Sequence, residues 1–164
     1  NYNEHSENII KTEINDNIGI APGAGSVFRQ WDFKKYLEIG SYLRNRGFNV
    51  YFFLGPDEKE YLDICLENGF LCPEWKDKKI ISHDITFTMS LAKKMRCLLC
   101  NDGGTSWMFE FAGIQTLKIF GITNEVKFAR PGYSTTIQVN DHGFVNIKDF
   151  PTKKYIEILN NFLK

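Results

Sequence analysis

The chain has no apolar run long enough to cross a bilayer, and its first residues, NYNEHSENIIKTE, lack the basic and apolar regions of a signal peptide. The expectation is a soluble, cytoplasmic domain, with any membrane association peripheral. Neither sign of charge is in surplus, because 20 basic residues face 20 acidic ones. Without a basic face, nucleic-acid binding is not expected. Cysteine is scarce. Cys97 and Cys100 form a C-x-x-C, but no second pair stands at zinc-ribbon spacing. That pair falls in RCLLCN, read as a buried strand, where residues three apart point to opposite faces. Metal and redox readings are therefore set aside in favour of reduced, structural cysteines. No metal site, internal repeat or low-complexity tract is found.

What is present is a chain of 164 residues, enough for one domain with a core. Residues 1–16 are polar and aperiodic and read as a linker or tail, which leaves 17–164 as the domain. Apolar and β-branched runs predict strands at 17–22, 48–54, 80–81, 97–100, 116–120 and 136–139. Caps and 3.6-residue spacing predict helices at 33–46, 57–68, 85–95, 105–112 and 151–163, with Gly47, Gly69 and Gly113 as stops. Alternating strands and helices predict an α/β fold: a Rossmann-like parallel sheet with helices on both faces. In such sheets ligands sit beyond the carboxyl ends of the strands.

Loops of unusual composition leave those ends. The first, PGAGSVFR, spans Pro22, Gly23, Ala24, Gly25, Ser26 and Arg29. It lacks the Gly-Lys-Ser/Thr of a P-loop and the third glycine of a dinucleotide fingerprint. Its glycines let backbone approach a phosphate and Arg29 supplies a permanent charge; the alternative is a flexible turn. The second, LGPDEKE, places Glu58 in a first helical turn, where an acid suits the dipole or accepts from ribose hydroxyls. The third, NDGGTSW, exposes the N–H groups of Gly103 and Gly104 and opens a helix with Thr105 and Ser106, a favourable setting for an anion. Asp102 is out of place there, since an acid repels phosphate; it either orients the loop or meets a sugar hydroxyl. His83 is a candidate wall for a nucleobase, and Trp107 lies in the first turn after the third loop. Together these loops point to a phosphate-bearing ligand.

The segments IGIAPGAGSVFRQWDFKKYLEIGSYL, YFFLGPDEKEY and LLCNDGGTSWMFEFAGIQTLKIFGIT resemble, in this order and spacing, the C-terminal half of glycosyltransferase family 9. These are the bacterial heptosyltransferases of lipopolysaccharide core synthesis and their relatives. The resemblance runs from about Asn17 to about Pro131. It implies half of a GT-B fold, in which the C-terminal domain holds a nucleotide-sugar donor, often ADP-heptose. It further implies that Pro22 to Ala24 and Arg29 form the first phosphate loop and that Glu58 holds the donor ribose. Asp102, Gly103 and Gly104 match the family's Asp-Ser/Thr-Gly. Two positions depart from the pattern: Gly103 replaces a hydroxyl residue, and Trp107 stands where the family commonly has His.

The resemblance also implies an acceptor domain, which needs roughly this length again. Residues 1–16 match the interdomain linker, and the acidic catalytic base belongs to the other half, so no catalytic residue is assigned here. The expectation is the donor-binding half of an inverting, metal-independent glycosyltransferase. It would use no cofactor beyond its donor, and a glycan or glycolipid acceptor would be held by the N-terminal domain. The alternatives are a non-catalytic nucleotide-binding module and another GT-B nucleotide-sugar enzyme such as an epimerase.

Overall fold

The computed structural model describes residues 8–164. β1 (Asn17–Ala21) is buried along its whole length, as a strand covered on both faces must be. A loop with a 3-10 turn at Val27–Arg29 leads to α1 (Phe33–Asn45), whose N-cap Asp32 accepts from Lys34 N. Gly47, at a φ of +90°, releases the chain into β2 (Asn49–Phe52). The helix expected at 57–68 is broken. Pro56–Tyr61 is a 3-10 segment in which Glu58 leaves helical geometry, and only α2 (Leu62–Glu67) is α-helical.

The strand expected at 80–81 is instead one arm of a small antiparallel hairpin, β3 (Trp75–Lys76) with β4 (Lys79–Ile80), outside the main sheet. Asp77 and Lys78 make its turn, both at positive φ, as a two-residue hairpin with primed geometry requires. Then follow α3 (Ile85–Ala92), β5 (Cys97–Asn101), α4 (Gly104–Phe111) and β6 (Gln115–Phe120). The long loop after β6 contains a short α5 (Glu125–Phe128). β7 (Ser134–Gln138) starts earlier than expected. It is an edge strand whose first residues are polar and only partly covered, so the apolar pattern misses them. α6 (Thr152–Phe162) closes the chain.

The main sheet runs β2-β1-β5-β6-β7, all parallel. One face buries Ile18, Ile20 and Leu99 against Tyr36, Ile39 and Leu43 of α1 and Tyr155 and Leu159 of α6. The other buries Leu98 and Tyr51 against Phe87 and Leu91 of α3 and Phe109 of α4. The fold is thus the expected Rossmann-like α/β sheet with helices on both faces. Cys97 joins the first core and Cys100 the second, so the C-x-x-C side chains do point apart. All four cysteines are free and buried. Ile10 packs into the second core and Thr12 Oγ1 donates to Asn17 Oδ1 at 2.6 Å, which anchors the polar stretch just before β1. Its first seven residues lie outside the described ones.

An ion pair is sealed into the second layer. Lys118 Nζ of β6 lies 2.9 Å from Glu110 Oε1 of α4, and both side chains are fully buried. The Thr116 and Ser134 hydroxyls donate to the same oxygen at 2.6 and 2.5 Å, while Glu110 Oε2 has no partner among the described residues. No described helix is long and apolar enough to cross a membrane.

Candidate functional site

The carboxyl ends of β1, β2 and β5 bring three loops into contact. Asn101, the last residue of β5, is the brace between two of them. Its Nδ2 donates to Pro22 O, and its Oδ1 accepts from Trp31 N and Tyr36 OH, each at 3.0 Å. Gln30 Nε2 fastens the first loop across itself by donating to Ala24 O at 3.1 Å. Ser26 caps the 3-10 turn that carries Arg29, accepting weakly from Phe28 N at 3.4 Å. Glycine decides how closely the first and third loops approach. A Cβ on Gly103 would lie 3.1 Å from Gly23 O and 3.4 Å from Ala24 Cα. Gly103 therefore lets the two backbones touch, where a hydroxyl residue would hold them apart.

Asp102 turns inward rather than toward the open edge. Its side chain is 3 % exposed, and Arg29 Nη1 donates to its Oδ2 at 3.3 Å. Arg29 thus pairs with the carboxylate, and its guanidinium, 29 % exposed, makes no further hydrogen bond among the described residues. This resolves the misfit of an acid in a loop suited to anions. Gly103 caps α4 without any side-chain hydrogen bond, and Gly104 is exposed. The first turn of α4, at the positive end of the helix, is therefore left without a side-chain cap.

Glu58 lies against both glycine loops. An added Cβ would sit 2.2 Å from its Oε1 at Gly23 and 2.7 Å from its Oε2 at Gly55. Its carboxylate is gripped between two bare Cα atoms. Burial raises its pKa above the usual carboxylate value, and the Gly55 backbone amide opposes that rise. Beyond it opens a cleft of about 230 Å³, walled by Gly55, Pro56, Glu74, Ile80, Ser82, His83, Asp84, Ile85, Thr88, Thr105 and Met108. Of the residues singled out in the sequence, Pro22 to Ser26, Arg29, Asp102, Gly103 and Gly104 meet at the loop junction. Glu58 borders the junction, and His83 and Thr105 line the cleft.

Trp107 goes elsewhere. Its ring lies over Lys118 Nζ at 4.6 Å and beside Phe111 at 6.2 Å between centroids, and it does not line the cleft. Sequence reasoning missed Asn101 as a brace and Glu74 as a cleft residue. Asn101 gave a signal, a polar residue ending an apolar strand, whereas Glu74 gave none. A larger groove of about 580 Å³, bordered by Arg96, Gln115 and Phe162, lies at the amino-terminal end of the strands. Helix C-termini rather than N-termini reach that end of the strands, so it is not the favoured site.

Residues 3–160 match the family model of glycosyltransferase family 9 (heptosyltransferase). No curated protein matches the chain. Among solved structures it is similar to ADP-heptose lipopolysaccharide heptosyltransferase II of E. coli, at 16 % identity with a TM-score of 0.76 over 99 % of this chain and 51 % of that one. It is likewise similar to a family 9 glycosyltransferase of Veillonella parvula, at 14 % identity and a TM-score of 0.75, covering 99 % of this chain and 51 % of that one. E. coli heptosyltransferase WaaC with ADP follows at 10 % identity and a TM-score of 0.74, with 97 % and 48 % covered. The chain spans about half the length of these structures.

Proposed function

The chain belongs to glycosyltransferase family 9, and from that membership we propose that it forms the donor-binding half of a heptosyltransferase-like enzyme. The reading rests above all on the loop junction at one sheet edge, where Arg29, held by Asp102, stands beside the uncapped amino-terminal turn of α4. There the diphosphate of a nucleotide sugar would lie between Pro22–Ser26 and Gly103–Thr105. Arg29 would contribute a charge-assisted hydrogen bond and α4 its dipole. Glu58, fixed between Gly23 and Gly55, would accept from the ribose hydroxyls. The base would enter the cleft beside His83. An ADP-sugar is the favoured donor, in keeping with the heptosyltransferase solved with ADP.

The chemistry proposed for this half is electrostatic. As the glycosidic bond to the diphosphate breaks, negative charge grows on the leaving phosphate oxygen, and prepositioned donors stabilise it. Activation of the acceptor, a surface glycan or glycolipid such as lipopolysaccharide core, would fall to residues of the acceptor half. Titration calorimetry with ADP tests the reading. Arg29→Ala should weaken binding by the value of a charge-assisted hydrogen bond, about 1.5–3 kcal/mol, or roughly tenfold to hundredfold in Kd. Unchanged affinity in that variant, or no binding of any nucleoside diphosphate by the parent, would refute it.

A further inference from the structure

We propose that Glu74 selects the nucleobase, accepting a hydrogen bond from an exocyclic amino group and so favouring adenine over uracil. The inference rests on the donor-site reading above. Its physical basis is a cleft carboxyl held through one oxygen, whose second oxygen has no hydrogen bond among the described residues.

Gly55 and Thr105, from the loops that form the junction, wall the cleft together with Glu74, Thr88 and His83. A nucleotide whose phosphates lie at the junction would therefore bring its base toward Glu74. The two neighbouring acids, Glu58 at the junction and Asp84 in the cleft, are held in other ways. Glu58 is gripped by two glycines, and Asp84 caps α3, with Thr86 N and Thr86 Oγ1 donating to its Oδ1 at 2.8 and 2.7 Å. Glu74 is fixed differently. Ile81 N donates to its backbone oxygen at 2.8 Å, and Thr88 Oγ1 donates to its Oε1 at 2.5 Å. The Thr88 bond sets the carboxyl plane and leaves Oε2 with no hydrogen bond among the described residues. An ionised carboxyl only accepts. It pairs with the amino hydrogens of adenine and repels the lone pairs of the uracil carbonyl at the corresponding edge. Burial raises the Glu74 carboxyl to about 7, with the Glu58 charge adding to the rise. That desolvation is what a donor arriving with the ligand would offset. A site built around a hydrogen bond rejects the analogue lacking it, because the buried partner is left unpaired.

Calorimetry with ADP, UDP and purine riboside 5′-diphosphate, which lacks the amino group, tests this on the parent protein. ADP should bind about tenfold or more tighter than the other two, the value of roughly one hydrogen bond. Glu74→Gln keeps an oxygen for Thr88 but turns an amide NH₂ toward the base. It should weaken ADP about tenfold and leave UDP unchanged or tighter, so the ADP/UDP ratio collapses. Thr88→Val, which removes only the brace, should lower the same ratio in part. Purine riboside diphosphate binding as well as ADP to the parent overturns the inference, with no variant needed. So does a Gln variant that keeps the parent ratio. A parent that binds none of the three refutes the donor-site reading itself, and the inference with it.

Discussion

Gly23→Ala offers a sharp probe of how the site is held. The new methyl would appear 2.2 Å from Glu58 Oε1, 2.6 Å from its Cδ and 3.2 Å from its Cγ. The first two separations are impossible, so something must move. The neighbour is the far end of a flexible side chain rather than backbone, and the cheap response is for Glu58 to swing away. Folding should then lose less than about 1 kcal/mol, the scale of one forced rotamer. On the donor-site reading, binding loses what Glu58 gives to the ribose, about 1.5–3 kcal/mol for a bond to a charged acceptor, or roughly tenfold to hundredfold in Kd. The decisive measurement is a cycle with Glu58→Ala, followed by ADP calorimetry and thermal melts. Both single variants should weaken ADP to a similar degree, and the double variant should be little worse than either, because one carboxylate can be lost only once. Full additivity, or a Gly23→Ala protein that binds like the parent, would refute the reasoning.

Two further outcomes are expected. Trp107→His should lower stability by about 1–3 kcal/mol, because the indole covers a buried ammonium; in a domain of this size that is roughly 2–12 °C in Tm. ADP affinity should stay within about twofold, and a marked change in affinity with an unchanged melt would return Trp107 to the site. Stability should also carry a pH signature from Glu74, which shares its cleft with His83 and Asp84 and feels the charge of nearby Glu58. Its carboxyl pKa is raised in the folded state from 4.5 to about 7. The fold therefore binds the proton more tightly than the unfolded chain, and the resulting stability is full below about pH 4.5 and lost as pH rises through about 7. The span corresponds to about 3 kcal/mol. Chemical denaturation of the parent and of Glu74→Gln at pH 5 and pH 8 should show the variant gaining on the parent at the higher pH; parallel curves would contradict the assignment.

Strands β1, β2, β5 and β6 of the sheet were legible because buried parallel strands are near-continuous apolar runs, as in NIGIAP, FNVYFFL and TLKIF, whereas the polar start of edge strand β7 was not. The hairpin at β3 and β4 was not. Its turn residues, Asp77 and Lys78, carry none of the glycine that usually marks positive φ, and Ile80-Ile81 looks like a strand of the main sheet. The helix at 57–68 was misread because an acid-rich first turn after proline suits a 3-10 segment as well as an α-helix. The loops that meet at the sheet edge announced themselves through Gly23, Gly25, Gly103 and Gly104. What no pattern could give was direction. Asp102 turning in to Arg29, Trp107 turning away to Lys118, and Glu58 lying on Gly23 are contacts between segments far apart in the chain.

The sealed pair of Glu110 and Lys118 constrains how this sequence can drift. Losing either charge alone strands the other in a dry layer, at a cost of about 3–5 kcal/mol, whereas exchanging both for packed apolar residues is often neutral or better. Total stability for such a domain is about 5–15 kcal/mol, so a single change at either position uses up much of the margin. The two positions can therefore change together but scarcely one at a time. An ancestor and a descendant could differ at both while the intermediate between them barely folds. Thr116 and Ser134 share the same oxygen, so they belong to the same linked set. A library randomising position 110 or 118 alone should return almost only the parent residue, and one randomising both should recover apolar pairs.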